Sequence, residues 1–327
     1  MWKRVSWACL LLVVLVGCND DDCANCPGDT ADPEPTLANL WPHADGASWI
    51  YDLDYNVYDG PPVTGPALPL PSMQDLHDAL EAPVDGELIT EDQGLYRLRF
   101  AGNVTTRSGV VAQNLTETFY DEAAKSGAET AGVADGERRL MRLIARARPD
   151  LRPRLLDRLG ETANALKSLD GVDPLYFLGA YAFSHEDDGY YGYGDLSTHH
   201  SWVYLEGSLD VGSQFSLQLI PDLVDDIWLY GQVWSIGDRT INGVTWPNVL
   251  ECMYAIDLGL VEVTDENGSV IGEFRSHIYG ATLFAPEFGP IACQERRALA
   301  PDSILEPSGG ARITDYTCVL AHSDAGD

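Results

Sequence analysis

The chain has 327 residues, with 20 lysines and arginines against 51 aspartates and glutamates, and its net charge is −31. This charge argues against binding to nucleic acid, whose phosphates are neutralised by basic side chains, and against broad adhesion to anionic lipid. Hydrophobic residues make up 45% of the chain and aromatic residues 9%, which is enough for a packed core.

The N-terminal residues have the order of a bacterial lipoprotein signal. Lys3 and Arg4 precede the apolar run 10–16, which is too short to span a bilayer. The stretch Leu15-Val16-Gly17-Cys18 then resembles the lipobox, whose cysteine is lipidated and becomes the mature N-terminus. The resemblance implies a signal peptide over 1–17 and palmitate or a similar acyl group on Cys18, anchoring the protein to a membrane without a span. A buried helix or an uncleaved anchor is the alternative.

Residues 18–39 predict an acidic, proline-rich tether. Asn19 follows the cysteine, so the aspartate of the enterobacterial inner-membrane retention signal is missing. The aspartates 20–22 resemble the surface-export signals of some lipoproteins, or they form a solvated spacer. We therefore expect a location in the cell envelope at the outer membrane, on its periplasmic face or at the cell surface.

The cysteines indicate disulfide chemistry in an oxidising compartment. Beyond Cys9 in the signal and Cys18, five remain, an odd number: Cys23, Cys26, Cys252, Cys293 and Cys318. We predict that Cys252 pairs with Cys293, both being in strand-like runs. Cys318 could instead join Cys293 or reach the tether. The C-x-x-C spacing of Cys23 and Cys26 lies in the tether and not at a helix start, so a redox role is not favoured.

Residues 40–300 predict one antiparallel β domain. In 47–59, alternation places Trp49, Tyr51, Leu53, Tyr55 and Val57 on one face of a strand. Runs 95–106 and 110–120 predict two paired strands, and a proline-rich loop over 61–83 precedes them.

Two Asn-Gly pairs, Asn242-Gly243 and Asn267-Gly268, predict type I′ hairpins. The strand before the first pair is apolar on both sides, with Trp228, Tyr230, Trp234 and Ile236 on one face and Ile227, Leu229 and Val233 on the other. Strands of this kind lie inside a sandwich or a covered curved sheet.

Residues 136–169 predict a helical hairpin inserted between strands, broken at Pro149. Its arginine stripe either forms a basic docking face or pairs with the interspersed carboxylates, and we favour the second reading. The expected fold is mainly β (α+β): a curved antiparallel sheet or open barrel with an inserted helical hairpin, followed by a C-terminal tail over 301–327.

Three stretches resemble a recurrent group of bacterial lipoproteins that has no established activity. They are LWPHADGASWIYD (40–52), with the pattern W-P-x-x-x-G-x-x-W-x-Y; NGVTWPNV (242–249), with N-G-x-x-[WYF]-x-N-V; and FAPEFGPI (284–291), with [YF]-A-P-x-x-G-P-[VI]. Phe284 stands where the group has tyrosine. The resemblance implies a curved antiparallel sheet, loosely similar to those of lipoprotein carriers.

Catalytic motifs such as G-x-S-x-G, a Walker loop or H-E-x-x-H do not occur in the sequence. A polar segment over 184–200 could bind calcium or zinc through His185, Asp187, Asp188, Asp195 and His199. The composition of this segment is also typical of an ordinary polar loop. The adjacent pair Ser184-His185 makes a hydrolase triad conceivable, but no third member can be placed.

Two functions remain open. The first is a non-catalytic envelope lipoprotein that acts as a scaffold or binds an apolar ligand or an envelope protein. Its ligand-lining candidates are Trp202, Tyr204, Trp228, Tyr230 and Trp234, although aromatic rows of this kind also serve as plain core. The second is a metal-dependent hydrolase or a metal-stabilised binder that uses the 185–200 segment.

Overall fold

The computed structural model of the chain describes residues 32–42, 44–121, 134–162, 166, 181–193, 202–220, 225–265, 267–301 and 310–323. The predicted signal peptide, Cys18 and the start of the tether lie outside these ranges. The folded unit begins at Glu34. Leu37 already packs against the core, so the tether predicted to reach residue 39 ends earlier. No helix in the described ranges is both long and apolar enough to cross a membrane.

Antiparallel strands make up most of the folded unit. In chain order the elements are β1 (Ser48–Pro62), α1 (Met73–Glu81), β2 (Glu87–Thr105), β3 (Val111–Asp121), α2 (Ala134–Ala147), α3 (Arg152–Leu159), β4 (Tyr181–Glu186), β5 (Gly189–Tyr193), β6 (Trp202–Glu206), β7 (Gln214–Gln218), β8 (Trp228–Ile241), β9 (Val244–Thr264), β10 (Val270–Ala285), β11 (Gly289–Leu299) and β12 (Gly310–Ser323). The mainly β expectation is confirmed.

Within the described ranges, the strands form one 12-stranded sheet in the order β6-β5-β4-β3-β2-β1-β12-β11-β10-β9-β8-β7. The edge strands β6 and β7 approach each other, so the sheet is barrel-like and nearly closed. The last strand, β12, lies between β1 and β11 and pairs with both. The prediction of a C-terminal tail over 301–327 is therefore wrong, because 310–323 is an interior strand of the sheet.

The alternation predicted for β1 is confirmed. Its inward row is buried to 4% exposure or less: Trp49, Tyr51, Leu53, Tyr55 and Val57. The same core takes in side chains of β2, of α2 and α3, and of most other strands. One apolar core therefore fills the concave side of the sheet.

The two Asn-Gly pairs form turns of different construction. Asn242 and Gly243 have φ angles of 49° and 79°, as the type I′ prediction requires. Gly268 has a φ of 79°, but Asp265 organises that turn. The Asp265 carboxylate accepts hydrogen bonds from the backbone amides of Asn267 and Ser269, at 2.9 and 2.8 Å. The second hairpin thus depends on an Asx-type turn.

A β-bulge changes the predicted faces of β8. The register with β9 shifts between Val233 and Ser235. Trp234 consequently packs on the outer face against α1, whereas Ile236 packs against the main core. A bulge inserts one residue into the alternation, so the prediction that these two side chains share a face is wrong.

Helix α3 lies within the range 136–169 predicted as a helical hairpin, whereas α2 begins before it, at Ala134. The apolar side chains of both helices join the main core. Residues 163–165 and 167–169 lie outside the described ranges, so the full hairpin stays a prediction. Two of the predicted arginine–carboxylate pairs are present: Arg142 and Arg138 both bond Glu161, at 2.6 and 3.0 Å. These guanidinium groups hold the pKa of the Glu161 carboxyl below its usual value.

Helix α1 was not predicted, because prolines dominate the loop around it. Ser72 and Asp75 form a capping box, which fixes the start of the helix. Leu76 and Leu80, one turn apart, pack on the convex face of the sheet against Met253 and Tyr279. The helix therefore covers the outside of β9 and β10.

Candidate functional site: the cleft beneath the outer helix

A cleft of about 210 Å³ lies between α1 and strands β9 to β12 on the convex face. Its apolar lining includes Leu80, Ala281, Leu283, Ala292 and Val319, and Cys293 and Cys318 also line it. Its polar lining consists of His77, Glu81, Glu251, Gln294 and Thr317. A concave, mostly apolar space with a few convergent polar groups is the usual form of a small-ligand site.

Helix α1 presents His77 to this cleft. The imidazole stacks on Trp234 with ring centroids 4.5 Å apart, and its Nε2 lies 3.1 Å from Oε1 of Glu251. The indole face fixes the plane of the imidazole ring, and the carboxylate fixes its direction. His77 is therefore held in one orientation by two partners.

Glu251 is a shared acceptor at the edge of the cleft. Its Oε2 accepts hydrogen bonds from Oγ of Ser235 at 2.7 Å and from Nη2 of Arg239 at 3.2 Å. In a Ser–His–acid triad the serine donates to the histidine, whereas here Ser235 donates to the acid. The arrangement positions charge and hydrogen-bonding groups, and it does not activate Ser235 as a nucleophile.

Strand β11 fixes the C-terminal end of α1. Arg296 donates to the carbonyl oxygens of Ala79 and Ala82 at 2.5 and 3.2 Å, and Gln294 donates to that of Leu80 at 3.1 Å. The last carbonyls of a helix lack partners within the helix, so these side chains satisfy them. Because its end is bonded in this way, α1 forms a fixed wall of the cleft.

A buried ionic cluster lies on the concave side, behind the cleft. Arg297 donates from Nε to Glu295 at 2.6 Å, and the hydroxyl of Tyr254 donates to the same carboxylate at 2.6 Å. The guanidinium carbon lies 4.5 Å from the ring centroid of Tyr316. Burial raises the pKa of the Tyr254 hydroxyl, and the neighbouring Glu295 adds to this effect. Glu295, Arg297 and Tyr316 are each 5% exposed or less, and we assign the cluster to the core.

The three stretches that resemble the lipoprotein group converge on the turn between β10 and β11. Trp49 donates from Nε1 to the carbonyl oxygen of Phe288 at 2.6 Å, and Tyr51 donates to that of Pro290 at 2.8 Å. The rings of Trp246 and Phe288 meet edge to face at 5.0 Å. Val249 packs with Ile291. The stretches thus build one structural junction, and none of these contacts carries reactive chemistry.

Gly289 is required at the centre of this junction. Its φ is 86°, in the left-handed region that favours glycine. A Cβ there would lie 2.9 Å from the Trp41 ring and 3.3 Å from the Trp49 ring. Trp41 and Trp49 are themselves in edge contact, with centroids 6.1 Å apart. Gly289 therefore leaves the space that the rings of Trp41 and Trp49 occupy.

The residues predicted to bind a metal are only partly described. His185 lies on β4 and stacks on Tyr190, with centroids 4.9 Å apart, and Asp187 and Asp188 form the turn that follows. Asp195 and His199 fall outside the described ranges. Within the described part of the chain, no three His, Cys, Asp or Glu side chains converge as metal ligands. The metal site stays a prediction.

The triad considered for the same segment is not assembled. Ser184 donates to Glu186 at 2.8 Å, and successive residues of a strand point to opposite faces. His185 therefore lies on the other face of β4 from Ser184.

The predicted ligand-lining aromatics occupy separate places. Trp228 stacks on Tyr230 with centroids 6.5 Å apart, and Tyr230 is 37% exposed. Trp234 lies beneath His77 at the cleft. Trp202 and Tyr204 are on β6, and their side chains are outside the description. Of the described three, only Trp234 contacts a residue that lines the cleft.

The disulfide predicted between Cys252 and Cys293 is incompatible with the sheet. Both cysteines are paired with Thr282 of β10, which lies between them. Strands are spaced about 4.8 Å apart, so the two cysteine Cα atoms are roughly 10 Å apart, beyond the ~7 Å that a disulfide can bridge. All three core cysteines are buried free thiols.

The sequence prediction included neither His77 nor Glu251. Two local signals were present for α1: the Ser72-x-x-Asp75 capping box and the spacing of Leu76 and Leu80. No local signal joins His77 to Glu251, which are separated by 174 positions.

Two solved structures are similar to this chain. One is a provisionally assigned exported protein with a YmcC-like fold from Bacteroides fragilis, with 10% identity, a TM-score of 0.30, and coverage of 88% of this chain and 99% of the other. The second is a provisionally assigned lipoprotein from Parabacteroides distasonis, with 9% identity, a TM-score of 0.30, and coverage of 88% and 98%. The chain matches no protein-family model and no curated protein.

Proposed function

We propose that this chain is a lipid-anchored protein of the bacterial cell envelope, attached through Cys18 and located at the outer membrane. The order of positive head, apolar run and cysteine in the first 18 residues supports this proposal. The folded unit starts at Glu34, and the acidic, proline-rich composition before it supports a tether. Several acyl chains hold such a protein firmly, because each buried methylene adds about 0.8 kcal/mol.

We further propose that its body has a non-catalytic binding role, and that the cleft beneath α1 is the binding site. The observation that carries this proposal is the fixed pair of His77 and Glu251 at the edge of an apolar cleft of about 210 Å³. A cleft below ~300 Å³ suits a molecule smaller than a drug-sized ligand.

The charges around the cleft suggest the chemistry of the ligand. Two carboxylates, Glu81 and Glu251, line it. Arg239 pairs with one oxygen of Glu251 at 3.2 Å, and the lining residues themselves include neither Lys nor Arg. A small molecule with an apolar body and an ammonium group would place its charge near these carboxylates and its body against Leu80 and Leu283. Charge-assisted hydrogen bonds of that kind are about twice as strong as neutral ones.

Native mass spectrometry of the detergent-extracted protein tests the binding role. Ala292→Phe, which fills the cleft from β11, should remove a co-purifying small molecule. Val111→Phe, at a position 66% exposed on β3, should retain it and serves as the matched control. The proposal that the cleft is the binding site would be contradicted if the wild type were extracted without a ligand. It would also be contradicted if both variants retained the ligand equally.

Two further measurements separate the parts of the proposal. Labelled palmitate should be incorporated into the wild type and not into Cys18→Ser, and its absence from both would contradict the anchor. A thermal shift in calcium or zinc that a chelator reverses would instead favour the metal-binding alternative for the 185–200 segment.

A further inference from the structure

Three core cysteines lie at matching positions along strands β9, β11 and β12 of the sheet. The pairing register places Cys252 opposite Thr282, Thr282 opposite Cys293, and Cys293 opposite Cys318. Residues paired in this way share a face of an antiparallel sheet, and the three cysteines all join the main core on the concave side. Cys293 and Cys318 are therefore direct neighbours on adjacent strands, whereas Cys252 is separated from them by β10.

The spacing selects one disulfide among the possible pairs. Directly opposed residues of an antiparallel pair have Cα atoms about 4.5 or 5.5 Å apart. Disulfides need Cα separations of about 4.4–6.8 Å, so Cys293 and Cys318 meet the requirement without movement of the backbone. The neighbouring Cys293 thiol also contributes to raising the pKa of the Cys318 thiol. Cys252 does not meet the spacing requirement.

We propose that Cys293 and Cys318 form a disulfide that joins β11 to β12 in the exported protein. The proposal rests on the envelope location proposed above, because that compartment supplies an oxidant. The reaction is thiol–disulfide exchange with a disulfide-bearing oxidoreductase. A thiolate of one cysteine attacks the oxidant's disulfide and forms a mixed disulfide; the thiolate of the second cysteine then attacks the first cysteine's sulfur and displaces the oxidant's thiolate. The two protein thiols lose two electrons and two protons, and the oxidant leaves as a dithiol.

Burial determines when this reaction takes place. Cys318 is 1% exposed and Cys293 is 6% exposed in the folded sheet. Burial raises the pKa of the Cys318 thiol, and the thiolate is the reactive form. The exchange therefore takes place while β12 is still docking, and in the folded sheet both cysteines line the cleft beneath α1.

The three cysteines fall on separate tryptic peptides, which makes the test direct. Cys252 lies on 240–275, Cys293 on 276–296 and Cys318 on 313–327. Envelope-extracted protein is alkylated in denaturant without reductant, digested and analysed by mass spectrometry. The expected result is a cross-link between 276–296 and 313–327, with Cys252 alkylated. Full alkylation of Cys293 and Cys318, or a cross-link from either to Cys252, Cys23 or Cys26, would overturn the proposal.

A second arm separates this inference from the proposed location. The purified full chain is refolded in a buffer of oxidised and reduced glutathione. If the 293–318 cross-link forms there but not in cells, the envelope location fails and the geometric inference stands. If it forms in neither, the geometric inference fails.

Thermal melting with and without reductant provides the structural readout. Cys293→Ala, Cys318→Ala and the double variant should each lower the Tm by about 5–10 °C and should lose sensitivity to reductant. Cys252→Ala removes a thiol of similar burial, 3% exposed, and should remain sensitive to reductant. A reductant-sensitive double variant would contradict the assigned pair.

Discussion

Trp49 of β1 donates a hydrogen bond of 2.6 Å to the carbonyl oxygen of Phe288, 239 positions later in the chain. The bond ties the first strand to the turn between β10 and β11. Tyr51 makes a parallel bond to Pro290 at 2.8 Å. Two stretches that look like unrelated motifs in the sequence therefore specify a single contact between β1 and the turn that joins β10 to β11.

Trp49→Phe should lower the free energy of unfolding by about 2–3 kcal/mol, because it removes the hydrogen bond to Phe288 and ring volume at a fully buried position. Trp228→Phe is the control, since that indole bonds Asp225 at an exposed site and should cost less than about 1 kcal/mol. Urea unfolding followed by circular dichroism measures both. Equal decreases in the free energy of unfolding would mean that the hydrogen bond to Phe288 stabilises the fold no more than the exposed one to Asp225.

Gly280→Ala should destabilise the fold by about 2–4 kcal/mol. The added Cβ would lie 2.4 Å from the carbonyl oxygen of Gln294 and 2.7 Å from the Tyr254 hydroxyl. Gly237 on β8 has its nearest neighbour at 3.8 Å, so Gly237→Ala should be neutral within about 1 kcal/mol. Thermal denaturation of the two variants compares them, and a tolerated Gly280→Ala would show that the strands can separate there.

Arg297→Met should lower the free energy of unfolding by about 3–5 kcal/mol, because it leaves the buried Glu295 carboxylate without a cationic partner. Glu295→Leu combined with Arg297→Met removes both charges and should recover much of that loss. Chemical denaturation of the single and double variants gives the coupling energy. Additive losses would indicate that the pair does not act as a unit.

His277 should make stability depend on pH. Burial lowers the pKa of His277 below 6.5, and Arg275 lowers it further, while Asp257 and a hydrogen bond to the Arg275 carbonyl oppose the shift. The folded state therefore binds fewer protons than the unfolded state below pH 6.5. Stability is fully present above this pH and is lost as the pH falls towards the folded pKa, at up to about 1.4 kcal/mol per unit.

The Tm of wild type and His277→Gln, measured from pH 7.5 to 5.5, tests this dependence. The wild type should lose more stability than the variant over this range, because only the wild type carries the buried imidazole. Parallel curves would assign the acid sensitivity to other groups.

The sequence predicts those features that depend on neighbouring residues. The alternation in β1 identifies its buried face because the side-chain period of a strand is two. Asn242-Gly243 predicts its turn because the required positive φ values are local. The capping box of Ser72 and Asp75 is also a local signal and could have predicted α1, but the prolines around it indicated a loop.

Features that depend on strand order could not be read from the sequence. Cys252 and Cys293 look like partners until β10 is known to place Thr282 between them. His77 meets Glu251 across 174 positions because α1 folds back over β9. The bulge at Val233 moves Ile236 to the other face, and a bulge depends on its partner strand.

The neighbouring positions of β1 and β12 have a consequence for folding. All other hydrogen-bonded neighbours in the sheet are consecutive in the chain, whereas β6 and β7 are consecutive yet occupy opposite edges. Ser323 lies opposite Trp49, so a short peptide could connect them. A circular permutant opened between β6 and β7 would keep each pairing and become a simple meander. Its contacts would be more local, and refolding should be faster. In the natural order, β1 can complete its pairing only after β12 has been synthesised.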